Sequence, residues 1–166
     1  MAPQLLFDLS QINLDGLLHD VADIERINPH RGAMRLVDGV IWENAETQEI
    51  LGFRDIGDDE FWVPGHFPGR PLYPGVLMIE AAAQVSSINF LKRMEGVDFM
   101  GFAGVEDVKF RGQVKPGDRF HILCRQIEMR RKRSISLVQG VVAGNHVIDG
   151  NDIGMPSSLI IIIRRR

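Results

Sequence analysis

Cysteine is almost missing from this chain of 166 residues: Cys124 stands alone. No intrachain disulfide can form, and neither a Cys-rich zinc motif nor a Cys-x-x-Cys redox pair can be built. Long apolar runs are missing as well. The longest, Leu159 to Ile163, falls far short of the roughly 20 residues that a bilayer-spanning helix needs. The first eight residues, Met1 to Asp8, lack the basic region and longer apolar stretch of a secretory leader. Excess charge of one sign is small. A net charge of -3 and a pI near 5.9 give no general reason to bind nucleic acid or an acidic membrane. These absences predict a soluble cytoplasmic protein in a reducing compartment. An apolar content of 45% in this length predicts one cored domain rather than two.

Leu14, Leu17, Leu18 and Val21 recur at helical spacing and predict a short amphipathic helix between Asn13 and Asp23, with Asn13 or Asp15 as its cap. A loop marked by Pro29 and Gly32 follows. The runs beginning at Leu36 and Thr47 then read as strands. Between Gly65 and Gly75 there are three prolines and three glycines in eleven residues, which predicts a shaped, fairly rigid loop. From Val76 to Leu91 neither Pro nor Gly occurs, and the sequence is apolar nearly all round, as in a buried helix. The second half reads as strands at 105–114, 119–129 and 134–143, with a last run near the C-terminus, joined by short turns as in an antiparallel meander. One buried helix and a sheet to cover it give an α+β domain.

Glu80 is the most informative position. An unpaired carboxylate is expensive to bury, and it lies within the greasy helix. Burial raises a carboxyl pKa, which would keep an acid ready to donate near neutral pH. Gln84 and Ser87 continue a polar line from Glu80 along the helix. The bland alternative is a buried carboxylate tied to an arginine of the sheet or to a second subunit. His66 stands at the start of the Pro/Gly-rich loop, and histidine suits proton abstraction near neutral pH. Pro74 and Gly75 open the helix, so unpaired N–H groups and the positive end of its dipole suit a developing oxyanion. A base, an acid and oxyanion donors thus fall within positions 66 to 80.

The run from His66 through Pro68-Gly69 and Pro74-Gly75 to Glu80-Ala-Ala-Ala-Gln84 resembles the signature of the β-hydroxyacyl-acyl-carrier-protein dehydratases. Asn28-Pro-His-Arg31 with Leu36-Val-Asp38, and Phe102 to Arg111 with Val114 to Asp118, are similar to the same family, so the resemblance covers roughly residues 26 to 145. It implies a hot-dog fold, in which a curled antiparallel sheet wraps a central helix. It divides the chain into an N-terminal extension at 1–25, with its short helix, and a dehydratase domain at 26–166.

The resemblance also implies a homodimer whose active sites each take the histidine from one chain and the glutamate from the other, often assembled further as a trimer of dimers. In these terms His66 removes the C2 proton of a 3-hydroxyacyl thioester, and the Gly75 N–H polarises its carbonyl. Glu80 protonates the departing hydroxyl, and Gln84 orients Glu80 or a water. No metal or redox cofactor is implied; the substrate rides on the phosphopantetheine arm of acyl carrier protein. The relative with isomerase activity has Asp at the carboxylate position, so Glu80 favours a plain dehydratase.

The family usually follows its His-Arg pair with Tyr-Pro-Phe. Here Gly32-Ala33-Met34 removes a bulky aromatic from the mouth of the substrate tunnel. His30 and Arg31 read as structural or interface residues, with substrate contact the alternative. The basic run Arg130 to Arg133 reads as a solvated hairpin turn or as a steering patch for an acidic carrier protein. Cys124 reads as core, and His19, His121 and His146 show no metal-ligand spacing. Two competing functions are a hot-dog thioesterase and a non-catalytic acyl-binding or dimerisation subunit.

Overall fold

The computed structural model describes residues 4–155. Helix α1 is Val21–Ile27, later than the apolar spacing suggests. Two local contacts decide this. The Asn13 side chain accepts the Asp15 N–H at 3.2 Å and the Asn13 carbonyl accepts the Gly16 N–H at 3.0 Å, which closes a turn where the helix was expected. Asp20 then forms a reciprocal cap with Asp23: its side chain accepts the Asp23 N–H at 2.9 Å, and the Asp23 carboxylate accepts the Asp20 N–H at 3.2 Å.

Strands β1 (Gly39–Asn44) and β2 (Glu49–Asp55) form a hairpin, and helix α2 (Gly75–Leu91) follows the Pro/Gly-rich loop. Then come β3 (Gly101–Phe110), β4 (Arg119–Arg130), β5 (Arg133–Val142) and β6 (Asn145–Met155). All pairings are antiparallel, in the order β1-β2-β4-β5-β6-β3. Strand β3 lies earlier than the predicted 105–114 because the chain leaves the ladder after Phe110. The Val114 carbonyl instead accepts the Tyr73 N–H at 2.7 Å, which anchors the loop before α2. The expected run at Leu159 to Ile163 lies outside the described residues.

Helix α2 runs across the inner face of the curled sheet, the hot-dog arrangement. Met78, Ala81, Val85 and Ile88 pack into a core with Phe120, Ile122 and other residues of the sheet. The approach is close enough that a Cβ at Gly52 on β2 would stand 2.7 Å from a Val85 methyl. An apolar helix needs this enclosure.

The outer face carries a second apolar cluster, with Ile41, Leu51, Phe53, Leu123 and Val141 at its centre. Residues of the first turns, among them Leu6, Phe7, Leu9 and Leu14, pack over it. The cover is pinned by polar contacts: the Leu6 N–H donates to Gln139 Oε1 at 2.7 Å, Gln139 Nε2 donates to the Gln4 carbonyl at 3.0 Å, and Arg125 donates to the Leu6 carbonyl. Leu14 therefore serves the sheet rather than a helical stripe. Among the described residues no helix is long and apolar enough to cross a membrane.

His121 pairs across the ladder with Phe53 and Val141, two members of this outer cluster. Its Nε2 is buried without a hydrogen-bond partner. Burial, helped by the Arg119 charge and opposed by Asp55, pushes its pKa below the ordinary value of 6.5. The unfolded chain therefore takes up this proton first, so stability is full above about pH 6.5 and declines as the pH falls below it. Urea midpoints measured from about pH 7.5 down to 5.5 are expected to fall less steeply in His121→Leu than in the wild type.

Candidate active site

Residues 28–36 meet the middle of α2 through buried polar contacts. Asn28 ends α1, its N–H donating to the Ile24 carbonyl at 2.7 Å. Its side chain donates to the Gln84 carbonyl at 2.9 Å and accepts from the Ser87 hydroxyl at 2.8 Å. Gln84, 1% exposed, has its amide fully engaged. Oε1 accepts the Leu36 N–H at 2.9 Å, while Nε2 donates to the Met34 carbonyl at 2.8 Å and to Glu80 Oε1 at 2.9 Å. The polar line Glu80, Gln84, Ser87 is therefore real, and it faces the 28–36 loop. Neither N–H of Gln84 is left for a water.

Glu80 is about a quarter exposed (26%), and His30 Nε2 lies 3.4 Å from its Oε1. Its polar partners among the described residues are thus a histidine and an amide, not the arginine of the bland reading. The expected upward pKa shift is not found. Burial is the largest influence and pushes the carboxyl up, but the hydrogen bonds from His30 and Gln84, with the His30 charge, outweigh it and hold Glu80 below its ordinary value.

His66 is held by its own loop. Its N–H donates to the Trp62 carbonyl at 2.8 Å, its carbonyl accepts the Leu72 N–H at 2.9 Å, and its ring stacks on Phe67 with centroids 4.2 Å apart. Nδ1 lies 2.9 Å from the Leu72 carbonyl. A carbonyl only accepts, so Nδ1 carries a proton, and in the neutral ring Nε2 keeps the lone pair. Below this loop Trp62 and Tyr73 are buried with rings 5.6 Å apart. Arg54 of β2 donates to Glu60, in the segment before this loop, and, at 2.8 Å, to Asp38 before β1.

Gly75 begins α2 immediately after Pro74, at the end where helix N–H groups lack intrahelical acceptors. A Cβ there would lie 2.8 Å from the Phe110 ring of β3, so glycine lets that half-exposed ring approach the start of α2. Phe110 is half exposed, and Phe67, Val76 and Met34 are also exposed apolar side chains near these residues in sequence. His66 and Glu80 are held by separate networks, His66 by Leu72 and Glu80 by His30 and Gln84.

Two residues here escaped sequence reasoning. His30, read as structural, stands against Glu80; its signal was the short spacing from Asn28, which the structure shows binding α2. Phe110 had no local signal, because its contact with Gly75 is made only by folding. The basic turn, exposed at Arg130 to Lys132, reaches towards the chain after α2: Arg131 donates to the Gly96 carbonyl at 3.3 Å, at the far end of the helix from Gly75. Cys124 is fully buried in the core. Among the described residues no group of three or more His, Cys, Asp or Glu side chains is placed to hold a metal ion.

With this geometry in view, the family model for the FabA-like domain matches residues 28–153. The chain belongs to the FabA-like domain family. Over 131 residues it is 37% identical to the 3-hydroxyacyl-[acyl-carrier-protein] dehydratase FabZ of Herpetosiphon aurantiacus, covering 78% of this chain and 92% of that one. Among solved structures, a chain of the dehydratase heterocomplex ApeI:P from Xenorhabdus doucetiae superposes with a TM-score of 0.70 at 16% identity, over 81% of this chain and 91% of that one. A hypothetical thioesterase from Streptococcus pneumoniae, solved with coenzyme A, has a TM-score of 0.54 at 10% identity, over 73% and 86%. These two neighbours, one from a dehydratase complex and one a hypothetical thioesterase, share the fold of this chain, so the chemistry has to be argued from side chains.

Replacing Gln84 by Met keeps the volume and removes three hydrogen bonds. It is expected to cost about 3 kcal/mol, since the Leu36 N–H and the Met34 carbonyl both lose a buried partner. Denaturant unfolding with an unchanged slope and a lower midpoint checks this.

Proposed function

We propose that the protein is a (3R)-hydroxyacyl-[acyl-carrier-protein] dehydratase of fatty-acid biosynthesis, a hydro-lyase that converts a 3-hydroxyacyl thioester into the trans-2-enoyl thioester and water. The observation that carries this reading is the state of His66. With its proton fixed on Nδ1 by Leu72, the ring offers Nε2 as a base from the loop that precedes α2, the helix that carries Glu80. The curated relative at 37% identity bears the dehydratase name.

His66 Nε2 removes the C2 proton, and the Gly75 N–H stabilises the charge that develops on the thioester oxygen. The electron pair from C2 forms the new double bond as the C3–O bond breaks. Glu80 has to enter the step protonated, against the contacts that hold its pKa below the ordinary value; it then protonates the departing hydroxyl, because hydroxide is a poor leaving group, and Gln84 holds Glu80 in place. No electron is transferred, so the reaction calls for no redox cofactor or metal. The substrate arrives on acyl carrier protein, and the protein works in the cytoplasm. The dehydratase unit is 26–166, with 1–25 as its extension.

Each site combines His66 of one subunit with Glu80 of another. Two observations support this: the separate networks that hold the two side chains, and the edge of β3, which among the described residues pairs only with β6 and exposes Phe102, Val105 and Phe110. A dimer through this edge would cover them. Such dimers are also the units of a trimer of dimers.

The test is conversion of a 3-hydroxyacyl thioester, followed by loss of water and by release of free thiol. Wild type is expected to give enoyl product, and His66→Ala and Glu80→Gln to remain folded but slow by ~100-fold or more. Mixing the two inactive variants under exchange is expected to recover about a quarter of the activity, as random dimers with one intact shared site require. Thiol release without dehydration would indicate a thioesterase. Neither signal across several chain lengths would indicate an acyl-binding subunit.

A further inference from the structure

Both hydrogen-bond donors that reach the Glu80 carboxyl among the described residues converge on one oxygen. Gln84 Nε2 lies 2.9 Å from Oε1, and His30 Nε2 lies 3.4 Å from the same atom. An oxygen that accepts two hydrogen bonds is a poor place for the acid's own proton, which would have to displace a donor. Oε2 is left to carry it.

The tautomer of His30 follows from its other nitrogen. Nδ1 is buried and has no hydrogen-bond partner among the described residues. A buried N–H without an acceptor costs more than a bare lone pair on the weakly polar ring, so the proton sits on Nε2 and points at Oε1. The two histidines therefore take opposite tautomers: His66 keeps its proton on Nδ1 and presents a lone pair, whereas His30 presents a donor.

His30 is also held from behind. The Arg31 guanidinium donates to the carbonyls of His30 at 2.8 Å and of Asn28 at 2.7 Å. Its Nε is 3.8 Å from the Glu25 carboxylate. On the helix side, Tyr73 feels the Glu80 charge and donates its hydroxyl to the Leu77 carbonyl at 3.3 Å.

We propose that His30 is a positioning residue for the acid: with Gln84 it clamps Oε1 of Glu80, so that the proton is carried on, and leaves from, Oε2. The inference rests on the dehydratase reading and adds to it the choice of oxygen and the residue that makes it. In the forward step the Oε2–H bond breaks and its proton joins the hydroxyl oxygen leaving C3, while the C2 proton goes to His66. In the reverse step Oε2 takes a proton from the attacking water. In this role His30 acts through Glu80.

Two variants and two readouts test this. His30→Ala removes the donor, and His30→Gln restores an N–H near the position of Nε2 without a titrating ring. The carbon-13 titration of the Glu80 carboxyl, identified by its loss in Glu80→Gln, is expected to move to higher pH in His30→Ala, since a donor that favours the carboxylate is gone. The acid limb of the kcat profile is expected to move with it. kcat should fall by roughly 100-fold with KM little changed, as for a misplaced catalytic group, and His30→Gln should recover most of both effects.

An unmoved Glu80 titration in His30→Ala overturns the clamp even if dehydration is intact. Equal impairment of the Ala and Gln variants overturns it as well, because the ring rather than its N–H would then matter. A wild type that gives no enoyl product, with the titration shifted as expected, defeats the dehydratase reading and the delivery step while leaving the carboxylate contact established.

Discussion

The amide of Gln84, buried midway along α2, makes three hydrogen bonds, and the arrangement of the site depends on them. Two hold the 28–36 loop by its backbone, at Met34 and Leu36, and the third reaches Glu80. Because that loop carries His30, the contact between His30 and Glu80 follows from where Gln84 places the loop. Asn28 and Ser87 extend the seam by one helical turn. Inside a low-dielectric core such a network favours one geometry, since any slip would strand several buried polar groups together. A carboxylate on a greasy helix is tolerable here because it stands at the end of this seam, with part of it still open to solvent.

Helix α2 itself was legible because no proline or glycine interrupts the mostly apolar run from Val76 to Leu91, and the preceding loop because proline and glycine constrain the backbone whatever surrounds them. The N-terminal helix was misplaced for a physical reason. Leu14, Leu17 and Leu18 show helical spacing, but Leu14 packs on the outer face of the sheet and the reciprocal Asp20–Asp23 cap starts the helix later. Periodicity cannot distinguish a stripe that packs as a helix from a turn that inserts leucines into a distant cluster. The extent of β3 was missed for the same kind of reason, since Val114 gives its carbonyl to Tyr73, far away in sequence.

At the site, residue types were readable and their electrostatics were not. Burial alone argues for a raised Glu80 pKa, and burial is indeed the largest influence; the opposite outcome comes from His30, 50 positions away, and from Gln84. The His66 tautomer likewise depends on a single carbonyl, that of Leu72, at the other end of a tight loop. Resemblance to the dehydratases named an acid and a base, whereas the contacts that bear on their protonation, of Leu72 with His66 and of His30 and Gln84 with Glu80, are made only by folding. The sheet's two covered faces show the same division: the inner core was foreseeable from α2, while the outer one needed residues 5 to 14 to fold back over β1, β2, β4 and β5.

The most direct test of the account is a crystal structure of the protein with a non-reactive 3-hydroxyacyl thioester analogue bound. The account predicts His66 Nε2 of one subunit facing C2 and Oε2 of Glu80 from the other subunit facing the 3-hydroxyl. Gln84 and His30 should both remain on Oε1. A bound analogue with Oε1 turned to the hydroxyl, or with His66 and Glu80 contributed by the same chain, would contradict it.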